Sequence, residues 1–180
     1  MYEFELGGVV PVGDRAIYEA LLGFDRCLTA APAVTSVSRE GSGGVDTTYE
    51  IQLARFGTTG SVRTTVTATE PARRIDWSAD RAIEGSWHFD RLAPERTRVT
   101  ITIRLEPTLL GHLPLTALLG LGGDRLLRRA LLREARPVLA RAVTVAGGST
   151  EGMELRVTAS GRVDRPTDDD GGDEASREPV

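Results

Sequence analysis

The chain has 180 residues, a 40% hydrophobic and 27% charged composition, and a formal net charge of -4. That describes one ordinary soluble domain with a core of its own, or one domain with a tail. The charge is local: residues 164–180 hold seven acidic residues and two Arg, while the other 163 residues hold 19 acidic and 20 basic groups, so the body offers no charged face for nucleic acid.

All 22 basic residues are Arg, and Lys and Asn are absent, a bias expected of a GC-rich coding sequence. Cys27 is the single cysteine, so no intramolecular disulfide can form; this fits a reducing compartment. The start of the chain carries acidic residues and lacks a basic region ahead of an apolar core, which argues against a signal peptide. A cytoplasmic location is the expectation.

In chain order, residues 2–6 alternate apolar and acidic, as a strand with one dry face does. After the Pro11–Gly13 break, Asp14 is positioned to cap a helix over 15–23 that buries Ile17, Leu21 and Leu22. Residues 24–31 predict a second short helix. From Ala33 the pattern changes to strands. Residues 34–39 are weakly patterned, and 47–55 place Tyr49, Ile51 and Leu53 on one face. Residues 57–60 read as a hairpin loop. Residues 60–70 place Val62, Val66 and Ala68 together. Residues 74–79 place Ile75 and Trp77 together, and 83–92 do the same for Gly85, Trp87 and Phe89. In 97–105, Val99, Ile101, Ile103 and Leu105 alternate with Arg98, Thr100, Thr102 and Arg104. About six successive strands, each with one polar face, predict an antiparallel meander covered on one side only.

The cover is the long helix expected over 124–147. Leu127, Leu131, Ala135, Val138 and Ala142 recur on one face, with Arg125, Arg129, Arg133 and Arg136 opposite. Pro137 is expected to bend it. Between sheet and helix, residues 108–123 are strongly apolar but broken by glycine and proline, and too short to span a bilayer. They read as a core plug or as a mobile lid. After Gly148, residues 153–163 are an extra edge strand or a linker, and the acidic residues 164–180 carry the composition of disorder. The expected organisation is therefore a domain over 1–147, a strand or linker over 148–163, and a tail.

A strand, two short helices, a run of antiparallel strands and a long C-terminal helix is the element order of the START-like helix-grip fold. The segment VVPVGDRAIYEALLGFD (9–25) resembles the opening of the SRPBCC superfamily. EPARRIDWSA (70–79) and EGSWHFDRLAPERTRVTITIRLEP (84–107) resemble its central strands. The superfamily includes polyketide cyclase/dehydrase proteins, lipid-transport proteins and a coenzyme Q-binding branch. The resemblance implies an α+β fold in which an antiparallel sheet of six or seven strands curves around the helix, with an apolar cavity between them. It also implies ligands such as lipids, quinones or polyketides. Some members are cyclases, dehydratases or hydroxylase subunits, and others bind proteins; fold alone does not choose.

Candidate cavity contacts are Tyr49, Trp77, Trp87 and Phe89 from the sheet and Leu131, Ala135 and Val138 from the helix. The two Trp carry most weight, because a buried indole N–H needs an acceptor that a dry core does not offer. Against this stands the plain alternative that the aromatics fill the core. Possible polar groups at the cavity edge are His112, Glu134 and Arg141. Glu134 and Arg141 lie beside the apolar stripe, where they could hold a ligand head group, pair with Arg63 or Asp76, or simply reach water. His88 should face outward by alternation. The two His and one Cys have no metal-ligand spacing. No Gly-x-Ser-x-Gly elbow, phosphate loop or dinucleotide fingerprint is present, so no catalytic residue, cofactor or metal is expected.

The leading expectation is a carrier or sensor of a hydrophobic small molecule. The alternatives are a small cyclase or dehydratase using the same cavity, and a protein-interaction module docking through 109–121. No transmembrane segment is expected, though transient membrane contact would be compatible.

Overall fold

The computed structural model describes residues 1–55, 58–80, 83–105 and 123–162. Strand β1 (Tyr2–Val10) leads into helices α1 (Asp14–Leu22) and α2 (Phe24–Leu28). Six strands follow: β2 (Val34–Glu40), β3 (Thr48–Arg55), β4 (Thr58–Glu70), β5 (Arg74–Ala79), β6 (Ile83–Ala93) and β7 (Arg96–Leu105). Helix α3 (Gly123–Val145) and strand β8 (Glu154–Arg162) complete the described chain. The expected hairpin loop at 57–60 is shorter, because β4 already begins at Thr58. The apolar segment 109–121, with His112, lies outside the described residues, as does the tail.

The sheet order is β2-β3-β4-β5-β6-β7-β1-β8, with every neighbouring pair antiparallel. The architecture is α+β, an antiparallel sheet gripping a long helix. The sheet has eight strands rather than six or seven, because β8 adds to the free edge of β1. Gly8 permits that approach: a Cβ there would stand 2.5 Å from the Glu154 carbonyl oxygen. β1 consequently runs past the glycines to Val10.

Residues directly opposite in antiparallel strands share a face. One row on the concave face therefore runs Ile75, Trp87, Ile101, Leu6, Val157, and the next runs Val66, Trp77, Gly85, Ile103, Phe4, Ser160. The convex face carries Arg98, Thr100, Thr102 and Arg104, with ion pairs such as Arg104–Glu3 at 2.7 Å. This segregation follows from the period-2 alternation.

Helix α1 buries Ile17 and Leu21 as expected, and Tyr18 and Ala20 as well, while Leu22 is half-buried. Asp14 is not its cap. Gly13 holds the N-cap position in extended backbone with no side-chain cap bond, and the Ile17 N–H reaches the Gly13 carbonyl at 3.1 Å. Asp14 is instead the first helical residue, its carboxylate favourable beside the positive helix end. Helix α3 is continuous through Pro137. It buries Leu127, Val138 and Ala142, together with Leu139 and Val143. The stripe of Arg125, Arg129, Arg133 and Arg136 is exposed.

The β4–β5 turn closes through the Arg73 N–H on the Glu70 carbonyl at 2.9 Å, with Pro71 and Ala72 at its centre. Ala72 sits at φ 57°, a left-handed conformation that costs a residue with a Cβ about 1–2 kcal/mol. Ala72→Gly is expected to raise the unfolding free energy by about 0.5–1 kcal/mol, after allowing for the extra chain entropy of glycine. Urea titration of both proteins, showing a higher midpoint at unchanged slope, checks this.

Candidate functional site

The concave face is covered unevenly. Over one half, α1, α2 and the C-terminal part of α3 close tightly on the sheet: Leu6, Val10, Ile17, Leu21, Ile75, Val99, Leu139, Ala142 and Val143 are all fully buried. At the other end of α3, Leu127 forms a small separate cluster with Phe4 and Leu105. Between the two, the helix is only half-buried at Leu131, Leu132 and Ala135, and so is Trp77 on the sheet. That region, under the first half of α3, is the candidate site.

The four sheet aromatics divide accordingly. Tyr49 is fully buried, its ring edge-on to Phe24 at 5.4 Å and its hydroxyl donating to the Leu22 carbonyl at 2.9 Å. Burial pushes its phenol pKa up. Phe89 is buried with its ring edge-on to Tyr18 at 5.9 Å. Both are closed in by α1 and α2 and fill the core. Trp87 is also buried, 6.5 Å from Phe24, but it stands two residues from Gly85 on the same face of β6, next to Trp77.

Trp77 lies over Gly85. A Cβ on Gly85 would come 2.2 Å from Cζ2 and 2.5 Å from Cε2 of the indole, so the ring edge that carries the N–H rests where a side chain is missing. The pairing of Trp77 with Gly85 and of Ile75 with Trp87 brings both indoles to the middle of the concave face, separated along β6 by about 7 Å. Among the described residues neither Nε1–H has a hydrogen-bond partner, and both atoms are buried. An unmet buried donor costs about 1–3 kcal/mol, so the arrangement is unfavourable without an acceptor.

The expected polar edge is built differently. Glu134 is half-buried and accepts the Ala33 N–H at 3.0 Å, fastening the start of β2 to α3. Its carboxylate also stands 3.8 Å from the Arg133 guanidinium. Arg141 is exposed. Of the proposed strand partners, Asp76 pairs with Arg74 at 2.7 Å, and Arg63 is exposed, with its backbone N–H directed at Asp80. Arg128, unmarked by the helical pattern, hydrogen-bonds Ser160 and ties α3 to β8. Of the helix candidates, Val138 belongs to the sealed half, while Leu131 and Ala135 border the site.

His88 faces outward, its Nε2 3.1 Å from the Ser86 hydroxyl, in a hollow of about 490 Å³ on the convex face that also includes Asp76, Glu84 and Arg104. Among the described residues no group of three or more His, Cys, Asp or Glu could hold a metal ion, and no helix is long and apolar enough to cross a membrane. Cys27 is fully buried, its thiol 3.4 Å from the Ala20 carbonyl, and burial pushes its pKa up from 9.0 to about 11. A thiol held neutral in this way is no nucleophile.

This architecture is the helix-grip fold of START-like proteins. Solved structures with the same arrangement include the di-domain aromatase/cyclase StfQ of the steffimycin biosynthetic pathway. It matches at TM-score 0.60 and 19% identity over 81% of this chain and 50% of that one. The Zhui aromatase/cyclase from a Streptomyces species matches at TM-score 0.55 and 16% identity over 82% and 94%. Ara h 8.0201 matches at TM-score 0.57 and 17% identity over 82% and 100%. No family model matches the sequence, and no curated protein matches it.

Two outcomes follow. Gly85→Ala should force Trp77 off β6, cost about 1–3 kcal/mol, and shift Trp emission in the native state; fluorescence with denaturant titration measures both. In the unfolded chain the Cys27 thiol ionises near its ordinary value, while in the fold it stays neutral to a higher pH. Its contribution to stability is therefore complete below pH 9 and is lost as pH rises towards 11. Urea titrations at stepped pH should show wild type losing stability across that window faster than Cys27→Ala.

Proposed function

We propose that this protein binds a hydrophobic small molecule of lipid, quinone or polyketide type between the concave sheet face and α3, as carrier or sensor. The observation that carries this reading is the chemistry of that face. Among the described residues, the concave positions from β4 to β7 around the site are apolar or threonine: Val66, Thr64, Ile75, Trp77, Trp87, Ile101 and Ile103. The carboxylates and the imidazole of this part of the sheet, Asp76, Glu84 and His88, are on the convex face. A wall of this kind holds an apolar ligand well. It lacks the positioned acid or base that general catalysis needs.

The second reading is a small cyclase or dehydratase using the same space. It is favoured by the aromatase/cyclase identity of two of the structural neighbours. In either reading the folded unit is the domain over 1–147 extended by β8, in the cytoplasm, and its partner is the small molecule rather than nucleic acid.

Native mass spectrometry of protein purified from its own host, followed by denaturing extraction, tests the proposal. A stoichiometric apolar compound, lost or reduced on Trp77→Ala, is the expected result. An apo mass with a co-purifying protein would overturn it.

A further inference from the structure

The outer side of α3 carries a row of cations. Arg125, Arg129, Arg133 and Arg136 are all exposed. At 3.6 residues per turn they fall within an arc of about 80° and span about 16 Å of the helix. Arg133 stands 3.8 Å from Glu134. Among the described residues Arg125, Arg129 and Arg136 pair with no carboxylate. Like charges at i and i+4 disfavour a helix, so such a row gains from an anion laid along it.

The chain carries an anion of matching charge. Residues 164–180 hold seven acidic residues and two Arg, hence a net charge of -5, and they lie outside the described residues. Their point of departure is described. Strand β8 ends at Arg162, opposite Tyr2 of β1. Two residues earlier, Ser160 is hydrogen-bonded to Arg128 of α3, and Arg125 and Arg129 stand within one turn of Arg128.

We propose that the acidic segment 164–180 folds back within the same molecule as a strap along the Arg stripe of α3. The contact is independent of the ligand reading above. Reach is sufficient: the six residues from Arg162 to Asp168 span up to about 20 Å when extended, more than the length of the stripe. Asp168, Asp169, Asp170, Asp173 and Glu174 follow in close succession. Exposed Arg–carboxylate pairs are individually weak, but a short tether holds the segment at an effective concentration on the order of mM, so several pairs act together. The competing basic surface is a hollow of about 470 Å³ on the convex face, lined by Arg96, Arg98 and Arg156. It also contains Glu5 and Glu154, and Glu154 is bonded to Arg156. Arg98 stands opposite Val9, seven residues along β1 from Tyr2, about 24 Å from where the segment departs. The stripe is both nearer and richer in unpaired cations. A strap there crosses the outside of the part of α3 whose inner side is only half-buried at Leu131, Leu132 and Ala135, and so adds a hold where the core supplies least.

The test uses the full chain. Cys27 is buried and its thiol neutral, so a nitroxide reagent labels Ser176→Cys selectively. At about 10 mM salt, where the screening length is about 30 Å, the label should weaken the amide signals of residues 125–136 severalfold. At about 1 M salt, where that length is about 3 Å, the signals should recover. Arg125→Gln, Arg129→Gln and Arg136→Gln together should abolish the weakening at low salt, and Arg98→Gln should leave it. If the triple variant does not fold, the salt series on the labelled chain decides. Three results would overturn the proposal. Weakening that grows with protein concentration makes the occupant a second copy. Weakening centred on residues 96–98 moves the strap to the convex hollow. Signals of residues 125–136 that stay full at low salt leave the stripe to solvent or to an anionic surface.

Discussion

A sheet with one dry face has to be covered, and among the described residues three helices cover this one unequally. Two of them, α1 and α2, are short and follow β1 directly, so they can reach only one side of the concave surface. There they work with the C-terminal half of α3, and the contact is tight: Ile17, Leu21, Leu139 and Val143 are fully buried against it. Among the described residues, the rest is covered by the first half of α3. Leu127 regains contact with Phe4 and Leu105 at the far end. Leu131, Leu132 and Ala135, between the two contacts, stay half-buried.

Several polar bonds of the core join two parts of the chain. Tyr49 joins β3 to the end of α1, Thr97 joins β7 to the start of α1, and Glu134 joins α3 to the start of β2 across 101 residues. Such bonds fix where the helices sit on the sheet. The same core leaves the two indoles unmatched among the described residues.

Much of the fold was legible because strand alternation is a local signal. β5 has the limits its pattern predicts, β7 differs by one residue, and His88 points outward because Trp87 and Phe89 point inward. β8 stayed ambiguous because its alternation fades at Ala159 and because it depends on β1 continuing through Gly7 and Gly8, whose missing side chains conceal the period. The apolar face of α3 was drawn too narrow. Leu139 and Val143 are buried beside the predicted Val138 and Ala142, which widens the face by one residue. Long-range bonds such as Glu134 to Ala33 leave no local trace. The site was partly legible: both Trp were placed on the inner face, while Tyr49 and Phe89 could not be told from ligand contacts without seeing Phe24 and Tyr18 against them. The Trp77–Gly85 pair could have been found, since a hairpin centred near residue 81 aligns residues 77 and 85.

The structural neighbours share the fold at 9–19% identity, so what they have in common is a pattern of elements rather than a set of side chains. Specificity in this chain has to come from groups that the pattern does not dictate. The indoles of Trp77 and Trp87 meet that condition. They are carried on central strands whose register is fixed on both sides, which holds them better than a loop would. They cannot serve as an acid–base pair, because an indole N–H donates a hydrogen bond and does not give up its proton in the working range of general acids. Their positions on the inner face follow from strand register, with Trp77 opposite Gly85 and Ile75 opposite Trp87.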